Sequence, residues 1–399
     1  MKYFVLIPDG AADYAVPELD NKTPLEVASK PTLDALASKS LVGTVSNVPS
    51  HMVPESDTAN LAILSYDPAI YSKGRSPLEA MSMGLTMVEG DIAFRCNVVT
   101  VSEEEDDYDK RIMLDHSADE ITTEEAAELV KALHEAFKTD KRSFYPGVSY
   151  RHCMIWNNPP AYTEFNRPHD FLGQCVGDKM PPEPYATLIR ESYAVLKDHP
   201  VNVSRRQRGL KPANSIWLWS PGAKPSLSSF KEKWGLDSTV ISAVDLIKGI
   251  GICAEMESVD VDGATGNYKT NYLGKANAAI DAFKRGKDLV YLHVEGPDEC
   301  GHRAELQNKV DSISFISEKI LKPVNEYLKS TGEDYAVMIL PDHPTPVCKR
   351  THTIDPVPFM IYRSNKVENG VSCFCEREAE GKNYYIKNGY ELMSYLVQK

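Results

Sequence analysis

Two segments towards the C-terminal end place aspartate and histidine side chains directly after apolar runs. The first contains Asp298 and His302, and the second contains Asp342 and His343, with His352 following shortly afterwards. Carboxylate and imidazole groups are common ligands of divalent cations in proteins. Asp298 and His302 are four positions apart, so one helical turn would bring both to the same ion. The spacing therefore predicts a metal centre.

The candidate ligands follow predicted strands. Residues 288–294 and 335–340 are short apolar runs bounded by Gly, Pro and Asp, which is typical of strands in a parallel sheet. Residues 3–7 form a similar run that leads through Pro8 into Asp9. Because ligands of open α/β sheets bind beyond the carboxyl ends of the strands, we expect these side chains to converge.

The converging side chains suit two metal ions. The two residues of the first segment, together with His352, offer three protein ligands to one ion. Asp9 and the adjacent pair Asp342 and His343 suit a second ion, at the separation of about 3.5–4 Å usual in two-metal enzymes. Each residue taken singly also suits a capping aspartate or a hydrogen-bonded core histidine. Their shared position at strand ends favours the metal centre.

A serine is placed to act as a nucleophile at such a centre. Ser56 lies where a loop turns into an apolar-periodic segment, so it is predicted to be the N-cap of a helix. Backbone N–H groups at a helix N-terminus attract phosphate, and coordination to a divalent cation lowers the pKa of a hydroxyl group. We therefore predict that Ser56 accepts a phosphoryl group.

The composition is typical of a globular enzyme. With 399 residues, 42% of them hydrophobic, the chain can form two domains with a large core. No run approaches the roughly 18 apolar residues of a membrane span, and a strand begins at once without a signal peptide, so we expect a cytoplasmic protein with no membrane partner. The net charge of −13 argues against a nucleic-acid partner. The eight cysteines lack a CxxC pair and are expected to be free thiols.

The order of predicted elements indicates an α/β core with an insertion. Strands and helices alternate near the N-terminus, which is typical of a mostly parallel sheet with helices on both faces. From about residue 89 to 190, the pattern changes to longer strands, an acidic loop and amphipathic helices. We therefore predict a metal-binding core domain from residues 1–88 and 191–399, and a smaller inserted α+β domain from residues 89–190.

A series of short motifs occurs in order along the whole chain. The motifs are Pro8-Asp9-Gly10, Ser56-Asp57, Gly74-Arg75-Ser-Pro-Leu-Glu79, Gly90-Asp-Ile-Ala-Phe-Arg95-Cys-Asn97, Tyr150-Arg151-His152, Pro168-His169-Asp170, Ala213-Asn-Ser-Ile-Trp217, Pro297-Asp298-Glu-Cys-Gly-His302 and Asp342-His343-Pro-Thr-Pro346. This series resembles the archaeal-type cofactor-independent phosphoglycerate mutases of the alkaline phosphatase superfamily. The resemblance implies an alkaline-phosphatase-like core with two Mn²⁺, Zn²⁺ or Mg²⁺ ions, and an inserted domain that closes over the substrate.

Carried over position by position, the resemblance implies a reaction and its residues. The implied reaction is the glycolytic interconversion of 2-phosphoglycerate and 3-phosphoglycerate, a small phosphorylated metabolite, without 2,3-bisphosphoglycerate. One ion is implied on Asp298, His302 and His352, and the other on Asp9, Ser56, Asp342 and His343. Ser56 is implied as the nucleophile, and Lys275 is implied to lie near the transferring phosphate. The implied substrate-binding positions are Arg75, Arg95, Asn97, Arg151, His152 and Asp170.

Departures from the family pattern leave a second activity open. Glu55 and Ser76 stand where the family usually has glycine, and His116, Asp119 and Glu120 stand where arginines are usual. The His-Ser-Ala run also resembles the proposed homoserine kinase branch of bacterial threonine biosynthesis, and acidic residues would suit the ammonium group of an amino acid. The alternatives are therefore a homoserine kinase-like phosphotransferase and, in another class, a metal-binding scaffold without catalysis.

Overall fold

The chain forms two compact units in the computed structural model, which describes residues 1–163 and 165–398. The core unit consists of Met1–Ser72 and Ser226–Lys399, and the inserted unit consists of Lys73–Pro225. The predicted boundaries after residues 88 and 190 both fall inside the inserted unit, which is longer at each end than the sequence indicated.

Strands and helices alternate through both units. The strands are β1 (Lys2–Pro8), β2 (Leu41–Val45), β3 (Asp91–Val101), β4 (Met113–Asp115), β5 (Arg142–Tyr145), β6 (Arg151–Asn157), β7 (Ser215–Ala223), β8 (Ser238–Ile241), β9 (Glu257–Val259), β10 (Leu289–Val294), β11 (Tyr335–Ile339), β12 (Val357–Arg363) and β13 (Tyr385–Ile386). The helices are α1 (Pro24–Val27), α2 (Pro31–Ala37), α3 (Ser56–Ile63), α4 (Pro68–Tyr71), α5 (Ser76–Ser82), α6 (Thr123–Phe137), α7 (Tyr185–Leu196), α8 (Pro200–Gln207), α9 (Phe230–Trp234), α10 (Asp245–Cys253), α11 (Tyr272–Lys284), α12 (Gly296–Arg303), α13 (Leu306–Phe315), α14 (Lys322–Ser330), α15 (Glu376–Gly381) and α16 (Leu392–Val397). A π-helical segment, Ile316–Leu321, joins α13 to α14.

The core unit is built on a mostly parallel sheet, as predicted. Among the described residues the sheet has eight strands, in the order β13-β2-β12-β11-β1-β10-β8-β9. β12 runs antiparallel to both of its neighbours, while β1 is parallel to β10 and to β11. The central strands are buried on both faces, which explains their nearly continuous apolar sequences.

Helices cover both faces of this sheet. On one face, Phe4 of β1 and Leu292 of β10 pack in a single hydrophobic cluster with Ala279 of α11 and Ile320 of the π-helical segment. On the other face, α10 packs so closely on β8 that Gly251 has no room for a β-carbon. The predicted arrangement of helices on two faces is confirmed.

The inserted unit is an antiparallel sheet with helices packed on it. β3 is its central strand and pairs with β4, β6 and β7, while β5 pairs with β6. α5 is tied to this sheet because the Ser76 hydroxyl donates to Ser220 O and accepts from Arg95 N. The contacts of β7 and α5 with β3 are the reason why the unit extends beyond both predicted boundaries.

Among the described helices, none is both long enough and apolar enough to cross a membrane. All eight cysteines are free thiols, as predicted.

A polar cluster lies within the core unit, beside the loop after β1. Lys309 Nζ is 2.7 Å from Asp13 Oδ2, and both side chains are fully buried. Glu376 Oε1 accepts from Asp13 N at 2.9 Å, and its Oε2 accepts from the Thr23 hydroxyl at 2.6 Å. Burial raises the pKa of Glu376 to about 7. The folded chain therefore holds a proton on Glu376 that the unfolded chain loses near pH 4.5.

Replacing Glu376 by Gln is expected to change the pH dependence of stability. Since the wild-type glutamate is more acidic in the unfolded chain, the free energy of unfolding falls as pH rises from about 4.5 to about 7, by roughly 1.4 kcal/mol per unit of pKa difference. Glutamine does not ionise, so the free energy of unfolding of Glu376→Gln does not fall for this reason. Its stability relative to wild type should therefore increase as pH rises from about 4.5 to about 7. Thermal unfolding between pH 4.5 and 8 measures this, with exposed Glu380→Gln as control. Parallel curves for wild type and Glu376→Gln would contradict it.

Candidate metal centre and active site

Three aspartates lie at the carboxyl ends of adjacent strands in the core unit. β1 lies between β10 and β11, Asp9 follows β1, Asp342 follows β11, and Asp298 lies in the first turn of α12 after β10. Ligand atoms of Asp9, Asp342 and His343 lie within 4.8 Å of one another, as do those of Asp298, His343 and His352. The strand order thus brings together side chains from the two ends of the chain.

The carboxylates of this site are buried and repel one another. Asp9, Asp298 and Asp342 are each at most 5% exposed. Burial, followed by the charges of Asp342 and Asp298, holds the pKa of Asp9 well above its usual range. For Asp298, burial would also raise the pKa, but hydrogen bonds from His302 and His352 hold it well below its usual range. Such a concentration of negative charge is stabilised by cations.

His302 and His352 are oriented towards Asp298 by backbone carbonyls. His302 Nδ1 lies 3.0 Å from Arg350 O, and His352 Nδ1 lies 2.9 Å from Pro54 O. In the neutral ring each Nδ1 therefore keeps its hydrogen, and the Nε2 that donates to Asp298 in the charged ring offers a lone pair instead. Both Nε2 atoms lie 3.3 Å from oxygens of Asp298 and 2.9 Å from each other. These are the three side chains predicted to share one ion.

Ser56 begins helix α3 beside the second group of ligands. Its Oγ lies 3.1 Å from His343 Nε2. The sequence predicted Ser56 as the N-cap, but Glu55 has the extended N-cap backbone and Ser56 is the first helical residue. The hydroxyl is therefore not used to cap the helix and faces the ligand group. The predicted second set, Asp9, Ser56, Asp342 and His343, is brought together in the structure.

Thr345 links the two groups of ligands and was not selected from the sequence. Its hydroxyl donates to Asp298 Oδ1 at 2.5 Å, and its oxygen lies 3.3 Å from His343 Nδ1. Since the Thr345 proton goes to Asp298, its lone pairs accept from the His343 Nδ1–H, which leaves His343 Nε2 as the ligand atom. The motif around His343 contained Thr345, but only the structure shows its two contacts.

Other side chains that contact the carboxylates were also not predicted from the sequence. Asn60 Nδ2 donates to Asp342 Oδ2 at 2.8 Å, and Asn60 lies one helical turn after Ser56. His293 Nε2 lies 3.1 Å from Asp9 Oδ2, within an apolar strand where a single histidine resembles a core residue. A further group of potential ligand atoms consists of Asp9, Glu295 and Asp298.

Lys275 is a buried cation near this site. It lies in α11, is 0% exposed, and its Nζ donates to His293 O at 3.0 Å. Burial lowers its pKa to about 8, while Glu295 and Asp9 act in the opposite direction. Lys275 therefore remains mostly protonated at neutral pH.

The predicted substrate-binding residues all lie in the inserted unit, and several surround Trp219. Trp219 Nε1 donates to Asn97 Oδ1 at 3.0 Å, and the Arg95 guanidinium lies over the indole, 4.5 Å from its ring centroid. Arg95 also forms a two-point ion pair with Glu79, so its charge is already balanced. His169, which precedes Asp170, packs edge-on against the same indole.

A cavity of about 420 Å³ adjoins this group and is lined by Trp219 and Arg167. The sequence reasoning used neither of these two residues. Trp219 lies in an apolar run where its indole resembled a core side chain. Its role as the centre of a polar group follows only from the pairing of β3 with β7.

His152 has a buried ring nitrogen, Nε2, without a hydrogen-bond partner among the described residues. Its Nδ1 accepts from Gly147 N at 3.0 Å, so Nε2 carries the hydrogen, and this buried Nε2 has no hydrogen-bond partner there. Burial lowers the pKa of His152 to about 3, which keeps the ring neutral. Arg151 is exposed and lies over the ring of Tyr150, and Arg75 immediately precedes α5.

The acidic run that suggested an ammonium-binding site is paired with a lysine. Lys211 Nζ lies 3.1 Å from Asp119 Oδ1 and 2.8 Å from Asp115 Oδ2, and its backbone N–H donates to Asp119. Glu120 is exposed. Asp119 therefore already has a cationic partner in the inserted unit, which it shares with Asp115.

The chain is similar to curated proteins along its whole length. The family model described as 2,3-bisphosphoglycerate-independent phosphoglycerate mutase matches residues 37–202. The protein of that name from Methanosarcina acetivorans is 43% identical, with 100% of both chains covered. The chain belongs to the 2,3-bisphosphoglycerate-independent phosphoglycerate mutase family. A relative from Geobacter sulfurreducens named as a probable member of this family is 41% identical, again over 100% of both chains. The resemblance predicted from the motifs is confirmed.

Solved structures of similar chains agree with this membership. A protein of Pyrococcus horikoshii is 26% identical with a TM-score of 0.81, covering 100% of this chain and 97% of that one. The cofactor-independent phosphoglycerate mutase of Thermoplasma acidophilum is 25% identical with a TM-score of 0.66, covering 100% of this chain and 99% of that one.

Replacing Thr345 by Val is expected to weaken cation binding at this site. The nearly isosteric valine removes the donor to Asp298 and the acceptor for His343, so both ligands lose their orientation. Contacts of this kind affect metal affinity by about 10- to 100-fold, and we expect a loss of that size in calorimetric titrations with Mn²⁺.

A matched control for this change is Thr239→Val. Thr239 is equally buried, and its hydroxyl also donates to a carboxylate, Glu257 Oε2, but it lies in β8 away from the ligands. This variant should bind Mn²⁺ as wild type does. Equal Mn²⁺ affinities of Thr345→Val and wild type would show that Thr345 does not orient the ligands.

Proposed function

We propose that the protein interconverts 2-phosphoglycerate and 3-phosphoglycerate, without 2,3-bisphosphoglycerate, through a phosphoserine on Ser56. The observation that carries the proposal is the position of Ser56 Oγ at the start of α3, 3.1 Å from His343 Nε2 and beside a buried group of carboxylates. Membership of the family supports the choice of reaction.

The transfer takes place in two steps at one oxygen. In the first, the bond between phosphorus and a glycerate oxygen breaks as a bond to Ser56 Oγ forms, and the serine proton ends on the released glycerate hydroxyl. In the second, the other glycerate hydroxyl attacks phosphorus, the bond between phosphorus and Ser56 Oγ breaks, and the proton of that hydroxyl ends on Ser56 Oγ. Backbone N–H groups at the start of α3 and the buried ammonium of Lys275 stabilise the anionic phosphoryl group.

Two divalent cations are part of the proposal, and the residues present fit them. Asp298, His302 and His352 would hold one ion, and Asp9, Ser56, Asp342 and His343 the other. The fit rests on two observations: the His302 and His352 Nε2 lone pairs converge on Asp298, and Asp9 Oδ1 is buried without a hydrogen-bond partner among the described residues. When bound, the ions supply positive charge that polarises the phosphoryl oxygens and lowers the pKa of the Ser56 hydroxyl. The donor set suits Mn²⁺, Zn²⁺ or Mg²⁺.

We assign binding of the glycerate part of the substrate to the inserted unit, and metal binding to the core unit. His152 supports this assignment because its buried Nε2–H has no partner among the described residues and can donate to a carboxylate or hydroxyl. Arg75, Arg151 and the group around Trp219 supply further cationic and polar contacts. Asn97 and Asp170 are included in this assignment as predicted substrate-facing positions.

No specific observation favours the two alternative functions. The homoserine kinase-like alternative relied on Asp119 and Glu120 as partners for an ammonium group, whereas both residues are exposed and Asp119 already pairs with Lys211. The scaffold alternative would be supported by a missing nucleophile or ligand, whereas Ser56 and all the predicted ligands are present and close together.

Replacing Ser56 by Ala is expected to abolish turnover while the fold remains. Without Oγ no phosphoserine forms, so conversion of 3-phosphoglycerate should fall by at least about 10³-fold. An enolase-coupled assay measures the loss, and mass spectrometry of quenched wild-type enzyme should locate a phosphate on Ser56. Ser330→Ala, a serine at the exposed end of α14, serves as the control. Substantial activity in Ser56→Ala would exclude the phosphoserine route.

The choice of substrate is tested by two parallel assays on Mn²⁺-loaded protein. One contains 3-phosphoglycerate alone, and the other contains homoserine with ATP. We expect conversion to 2-phosphoglycerate at roughly tens per second, an ordinary enzyme rate, and no phosphohomoserine. ATP-dependent phosphohomoserine without mutase activity would instead support the kinase alternative.

A further inference from the structure

Two cysteines, Cys373 and Cys375, lie together in the core unit just before α15. Cys375 is fully buried, in a small hydrophobic cluster with Ala11 and Leu25, and Cys373 packs against the same cluster while remaining partly exposed. Each side chain is near enough to the other to shift its pKa. The pair therefore combines one accessible sulfur and one enclosed sulfur beside the same hydrophobic cluster.

A buried lysine is directed at the accessible sulfur. Lys30 is 2% exposed, and its Nζ donates to Cys373 Sγ at 3.2 Å. The same Nζ lies 3.1 Å from Asp34 Oδ1, and Asp34 accepts from Phe374 N at 2.8 Å. Asp34 thus fixes the loop between the two cysteines against α2, with the ammonium group placed on Cys373.

These contacts give the two thiols different pKa values. The hydrogen bond from Cys375, supported by the charge of Lys30, lowers the pKa of Cys373 to about 6. The pKa of Cys375 is raised, first by the hydrogen bond to Cys373 and then by burial. At neutral pH, Cys373 is therefore mostly thiolate and Cys375 is a thiol. The reactive form of cysteine in substitution and oxidation is the thiolate.

We propose that Cys373 and Cys375 form a reversible oxidation site, in which a hydroperoxide oxidises Cys373 and the adjacent Cys375 closes a disulfide. The proposal is independent of the reaction assigned to Ser56. It rests on the Lys30–Cys373 contact and on the proximity of the two sulfurs.

The chemistry balances with the hydroperoxide as oxidant. The Cys373 thiolate attacks one peroxide oxygen, the O–O bond breaks, an S–O bond forms, and the other oxygen leaves as hydroxide and takes up a proton. Sulfur is oxidised by two electrons and the peroxide is reduced. The Cys375 sulfur then attacks the sulfenic sulfur, the S–S bond forms, the S–O bond breaks, and the oxygen leaves as water with the Cys375 proton. The protein loses two hydrogen atoms in all.

The first test compares Cys373 with Cys348 in one wild-type sample. Cys348 is the exposed thiol among the eight, so accessibility alone predicts that it reacts first. At a pH of about 6, with iodoacetamide below one equivalent, we expect Cys373 to be alkylated about tenfold faster, because far more of it is thiolate. Peptide mass spectrometry gives the ratio. Faster alkylation of Cys348 would overturn the proposal.

The second test uses one equivalent of hydrogen peroxide on the same protein. We expect a loss of two hydrogen atoms, a disulfide within the peptide that contains residues 373 and 375, and its reversal by dithiothreitol. In Cys375→Ser, dimedone should trap a sulfenic acid on Cys373. A disulfide between other cysteines, or an unchanged 373–375 peptide, would overturn the proposal.

The role of Lys30 is tested by Lys30→Met, which keeps the length of the side chain and removes the charge. Alkylation of Cys373 at pH about 6 should slow about tenfold, while exposed Lys22→Met should leave it unchanged. If folded Lys30→Met were alkylated at Cys373 at the wild-type rate, Lys30 would have no role in activating this thiol. Should this variant fail to fold, the ratio of Cys373 to Cys348 in wild type decides alone.

Discussion

Repulsion between buried carboxylates is the interaction on which the site depends. Asp9, Asp298 and Asp342 lie almost without solvent at the end of one sheet. The chain offsets part of their charge with directed hydrogen bonds, from Asn60 to Asp342 and from Thr345 to Asp298. The remaining negative charge is the physical reason why this position is suited to cations and, through them, to a phosphoryl group.

The sheet determines which residues share this charge. β1 lies between β10 and β11 in parallel register, so the loops that follow all three strands leave at the same edge. Asp9 is held at the strand end itself, and Asp298 is carried one turn into α12. The strand ends thereby bring together ligands from distant parts of the sequence, and His343 and His352 lie in the segment that follows β11.

Much of the candidate metal centre was predictable from the sequence because carboxylates at strand ends have a clear sequence pattern. The strands preceding Asp9, Asp298 and Asp342 were predicted to within one or two residues. The contacts of Thr345 were not, because a threonine in a turn has no distinctive pattern. The extent of the inserted unit was missed because the pairing of β7 with β3 is a long-range contact. The partner of Arg95 was missed for the same reason, since side-chain pairing depends on packing and not on periodicity.

The strand order also has a consequence for how the chain acquires its structure. β1 is synthesised before both of its neighbours in the sheet, residues 289–294 and 335–339. During synthesis both edges of this apolar strand therefore remain without their native partners until those two later segments have left the ribosome. Contacts so distant in sequence close slowly. The same placement that makes β1 the centre of the finished enzyme makes it the segment most in need of protection from aggregation while the enzyme is being made.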